Sequence, residues 1–104
     1  MHTVQLVIQF PASSAADFDA LVALEDRLIE ALDERHLVDG HDFGSGTANI
    51  FIHTNAAPEA FAITRSVMTT MGYTEWGAAQ RSLLDDEDYH RIWPVDSEEP
   101  FTPV

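Results

Sequence analysis

The chain has 104 residues, with 18 acidic side chains against 5 basic ones and a formal charge of -13 at pH 7. A field of that sign repels phosphate backbones and anionic lipid headgroups, which argues against nucleic acid and membrane surfaces as partners. Cysteine is absent, which removes disulfides, thiolate nucleophiles and cysteine-held metal centres, and the basic residues are all arginines, which removes Schiff-base chemistry. At 45% hydrophobic and 10% aromatic the chain is too apolar for an acidic disordered tail. Met1 to Phe10 lacks the basic flank of a signal peptide, and no stretch approaches the ~18 apolar residues of a membrane span, so a cytoplasmic protein is expected.

Val4 to Phe10 alternates with the period of a half-buried strand: Val4, Leu6, Ile8 and Phe10 share one side, and Gln5, Val7 and Gln9 the other. Pro11 ends it. Ser14 and Asp17 have the spacing of a capping box, and Phe18, Leu21, Val22, Leu28, Ile29 and Leu32 continue an apolar helical stripe to about His36. Leu37 to Phe43 reads as a strand that turns at Gly44-Ser45-Gly46 into a second strand, Thr47 to Thr54. In that second strand Ala48, Ile50 and Ile52 oppose Asn49, Phe51 and His53. Pro58 suits the first turn of another helix, whose stripe of Phe61, Thr64, Val67, Met68 and Met71 stops at Gly72. Tyr73 to Leu84 reads as a strand interrupted at Gly77. The acidic turn Asp85 to Asp88 and a short fifth strand, Tyr89 to Trp93, follow.

The order βαββαβ, with a fifth strand appended, predicts an α+β ferredoxin-like sandwich: an antiparallel sheet with two helices on one face. Residues 1–94 form the expected single domain, and 95–104 an acidic, proline-containing tail. The segment Val38-Asp39-Gly40-His41-Asp42-Phe43-Gly44-Ser45-Gly46, continued by Asn49-Ile50-Phe51-Ile52, resembles the DGxDxGSGxxNIFI segment of small bacterial proteins that end in IWP or LWP, here Ile92-Trp93-Pro94. The resemblance spans the middle and C-terminal thirds. It implies the same order of elements and assigns no reaction.

Imidazole and carboxylate groups at Asp39, His41 and His53 have the chemistry of a divalent-metal site, with Asp42 and His90 as further donors. In a regular strand Asp39 and His41 share a face and Asp42 lies on the other, so convergence of all three needs a bulge, which Gly40 and Gly44 permit. Ser45 lacks the strand-to-helix elbow of a G-x-S-x-G nucleophile. The sheet face away from the helices carries Gln5, Val7 and Gln9 beside Asn49, Phe51 and His53. The Tyr73–Leu84 strand adds either Tyr73 and Glu75 or Trp76 and Gln80.

This mix of aromatic, amide and imidazole groups supports two readings. One is a small acidic binding or regulatory module, inhibitor- or immunity-like, needing no cofactor, that dimerises through the sheet face and is steered onto a basic protein partner. The other is a cofactor-independent enzyme for a small molecule, with His53 as base and Asn49 orienting the substrate. For the second, the antibiotic-biosynthesis-type monooxygenases are similar in fold and residue type. The metal-binding protein is a third reading.

Overall fold

Residues 2–44, 46–84 and 89–94 are described by a computed structural model. The expectations that fall on Ser45, on the acidic turn at 85–88 and on the tail from 95 onward lie outside the described residues. The elements run β1 (Val4–Pro11), α1 (Ala15–Leu32), β2 (Leu37–Gly44), β3 (Thr47–Thr54), α2 (Ala57–Thr70), β4 (Gly77–Ser82) and β5 (His90–Trp93).

Ser14 sets the start of α1. Its hydroxyl accepts from the Asp17 backbone N–H at 3.1 Å, and the Asp17 carboxylate accepts from Ser13 N–H at 2.9 Å and Ser14 N–H at 3.2 Å. These donors hold the Asp17 carboxyl below its ordinary value of 3.8. A lowered folded value means that the cap contributes fully above the unfolded value and is lost as pH falls through the folded one. An Asp17→Asn variant is therefore expected to lose less stability than the parent chain on acidification from about pH 6 to about pH 3. Urea midpoints measure this, and parallel acid limbs would refute it.

The helix ends four residues earlier than its apolar stripe suggests. Asp33 takes a left-handed φ of 50° and its carboxylate accepts from Arg35 N–H at 3.0 Å, which turns the chain toward β2. Gly72, at φ 86°, plays the equivalent part after α2, where Tyr73 N–H reaches back to the Met68 carbonyl at 2.9 Å.

The strands form one antiparallel sheet in the order β2-β3-β1-β4-β5. Strand β3 lies between β1 and β2, and β1 lies between β3 and β4, so each strand–helix–strand unit is split by a strand of the other. The chain is thus a ferredoxin-like α+β sandwich whose sheet β5 extends past β4. The core lies between the sheet and the helices. Leu6, Ile8, Ile50 and Ile52 meet Leu21, Leu24, Leu28 and Leu32 of α1, with Ala60 and Met68 of α2, all without exposed surface. No helix among the described residues is long and apolar enough to cross a membrane.

A buried polar pair, His36 and Thr54, ties this frame together. His36 is buried, and its Nδ1 lies 2.7 Å from the Thr54 hydroxyl, which also accepts from Ala56 N–H at 2.9 Å. The end of α1, the end of β3 and the start of α2 are joined at this point. Arg35 reinforces the junction by bridging Asp33 and Glu59.

Candidate functional site

Strand pairing resolves the sheet face opposite the helices into three rows. Asp42, Asn49, Gln9 and Gly77 form one, Gly40, Phe51, Val7, Ala79 and Arg91 the next, and Leu37, His53, Gln5 and Arg81 the third. The expected residues of β1 and β3 therefore do stand side by side. The centre of the face is inaccessible: Val7 and Ala79 have no exposed surface and Asn49 has 1%. Gln5 is also buried, at 8%, and Gln9, Phe51, His53, Arg81 and Arg91 are the partly exposed groups around them.

The β4 contribution differs from both expected alternatives. Its strand begins only at Gly77, and its parity places Ala79 and Arg81 on this face and Gln80 toward the helices. Tyr73 and Glu75 precede the strand; Tyr73 instead packs edge-on against Phe10 at 5.0 Å. Trp76 is likewise drawn to the helix side, where it stacks on Trp93 at 5.5 Å and meets Phe61 of α2 at 6.1 Å. Its position, two before Ala78, has the helix-side parity of β4, and burial among aromatic partners holds the indole there.

The third row carries most of the polar organisation. Gln5 Oε1 accepts from Arg81 Nε at 3.0 Å and from the Tyr89 hydroxyl at 2.5 Å, and the Arg81 guanidinium lies over the Tyr89 ring at 5.2 Å. Two donors on one oxygen fix the orientation of the amide. Gln5 Nε2 then faces His53 Nε2 at 3.3 Å, and an amide nitrogen can only donate. In this contact His53 Nε2 is the acceptor, which places a ring proton on Nδ1. Asp39 Oδ2 lies 3.9 Å from the same His53 nitrogen. In the first row Gln9 Nε2 donates to Asn49 Oδ1 at 3.0 Å.

Replacing Gln5 by glutamate supplies acceptors to both neighbours, so the His53 proton is expected to move to Nε2. Long-range ¹⁵N–¹H spectra at about pH 8 read this directly. An Nε2–H tautomer already present in the parent protein would refute the assignment.

The bulge anticipated near the glycines falls between Val38 and Gly40. It reverses the expected parity: Asp39 reaches His53 on the sheet face, whereas His41 points to the helix side and meets Glu25 Oε2 at 2.9 Å. The proposed ligands Asp39, His41 and His53 are consequently divided between two faces. Among the described residues no three His, Asp or Glu side chains converge in a way that would hold a metal ion.

Two surface cavities flank these features. One, of about 290 Å³, lies where β1 ends and β4 begins, lined by Gln9, Pro11, Thr47, Glu75, Trp76 and Arg91. The other, of about 460 Å³, lies along the outer side of α2 beside Phe61 and Arg65. Neither is lined by His53 or Asn49.

A second surface escaped the sequence reading. Five of the seven exposed large apolar side chains among the described residues belong to α1 and β2: Phe18, Val22, Ile29, Leu37 and Phe43. Phe18 meets Phe43 edge-on at 5.4 Å and His41 at 6.0 Å, so the stripe Phe18-Val22-Ile29 runs beside the outer strand of the sheet. The expected core stripe of α1 included Phe18, Val22 and Ile29; these lie outside the core because the helix turns Leu21, Leu24, Leu28 and Leu32 to the sheet. Compared with protein-family models, curated proteins and solved structures, the chain matches none.

Proposed function

We propose that this protein is a small acidic binding module that engages a basic protein partner along the α1–β2 edge. The carrying observation is the concentration of exposed apolar side chains there, in a chain of charge -13. Apolar groups at 36–51% exposure beside an outer strand have the composition of an interface core, and the surrounding carboxylates steer and orient a basic partner. An inhibitor- or immunity-like role uses the same two features. The edge is favoured over dimerisation through the sheet face because Val7 and Ala79 offer a mate no accessible surface.

The test compares the parent chain with a Phe18→Asp/Phe43→Asp double variant, each immobilised and challenged with basic proteins at rising salt. Both side chains are partly exposed, and circular dichroism checks that the fold is kept. The parent is expected to retain a partner that the variant loses, although the variant is the more acidic of the two. Equal retention by both chains would reduce the interaction to unspecific charge attraction and reject the reading.

A further inference from the structure

We propose that the Gly40–Gly44 stretch of β2 receives an extended segment of the partner as an added strand. On that strand basic side chains alternate with apolar ones. The inference rests on the reading of the protein as an acidic module for a basic partner, and it specifies the chemistry of what is bound. Strand β2 pairs with β3 on one side only, and among the described residues no strand lies on its other side. Beyond the bulge at Asp39 the pairing is regular from Gly40 to Gly44, so the free backbone groups repeat at the spacing another strand needs. Both glycines leave that edge bare, and a Cβ at either would meet no atom within 4 Å.

The two sides of this edge differ in chemistry. Toward the sheet face stand Asp39 and Asp42, both exposed; toward the helices stand Phe43 and, from α1, Phe18. Successive residues of an added strand face these sides in turn, so arginine or lysine would sit beside the aspartates and apolar residues beside the phenylalanines. On the helix side Glu25 and His41 pair with each other. A second copy of this chain is the poorer occupant, because it would bring the same aspartates and the same charge of -13 to the contact.

The probes are three synthetic peptides of about eight residues: one alternating arginine with valine, one with the same composition in two blocks, and the alternating one with every second amide N-methylated. Affinity is read by fluorescence anisotropy at low salt on the full chain. The alternating peptide is expected to bind at least about tenfold more tightly than the blocked one, because only its side chains reach both surfaces in register. N-methylation on the pairing edge should remove that advantage, and Asp42→Asn should reduce it. Equal, salt-sensitive binding of all three peptides would overturn strand addition while leaving the basic-partner reading intact. No binding of any peptide would overturn both. Sedimentation showing a dimer that the alternating peptide cannot dissociate would place a second copy on the edge and overturn the proposal.

Discussion

Replacing Leu24 by alanine is expected to destabilise the fold by roughly 2–5 kcal/mol, and replacing Ile29 by alanine by no more than about 0.5 kcal/mol. Both residues lie in α1 and both are aliphatic. Leu24 has no exposed surface and packs among Leu6, Ile8 and Ile52 in the core cluster, whereas Ile29 is 51% exposed. Truncating Leu24 removes apolar area from a filled interior and leaves a cavity that its neighbours close only in part. Truncating Ile29 removes a side chain about half of which already faces water and opens no interior cavity. Urea denaturation of the two variants measures the contrast, and comparable losses would show that α1 is rotated about its axis from the orientation described. Ile29→Ala is instead expected to weaken partner binding, since it shortens the apolar stripe beside β2.

Thr54→Val is expected to cost about 2–3 kcal/mol although it preserves shape. The Thr54 hydroxyl serves Ala56 N–H and His36 Nδ1 together, and His36 Nε2 has no hydrogen-bond partner of its own, with Glu59 Oε2 at 3.7 Å. Valine would leave the whole buried imidazole unpaired, and a buried polar group without a partner costs more than the bond contributed. Thr54→Ser keeps the hydroxyl and should recover most of the loss. A valine variant as stable as the parent chain would show that His36 is held by packing alone. In thermal or chemical unfolding the loss should appear as a lower midpoint with an unchanged slope, because the surface exposed on unfolding is the same.

The sequence by itself determined what local periodicity controls. Alternation in Val4–Phe10 and Thr47–Thr54 assigned both faces of the two central strands, because a strand's side chains must point to opposite sides in turn. Ser14 and Asp17 marked the start of α1 through their own hydrogen bonds, and Gly72 the end of α2 through a conformation glycine adopts without strain. The order of these elements then left the split sandwich as the compact arrangement. Their pairing with β2 and β4 was not legible. A bulge of one residue moves Asp39 and His41 to opposite faces, and the late start of β4 puts Arg81 beside Gln5 while Trp76 joins the aromatic cluster. Only tertiary structure decided these, because register is fixed by the neighbouring strand and by what each side chain can bury against, which no local pattern contains. The same holds for α1: its apolar stripe put Phe18, Val22 and Ile29 on the core face with Leu21, Leu28 and Leu32, whereas packing against the sheet buries Leu21, Leu24, Leu28 and Leu32 and leaves those three exposed.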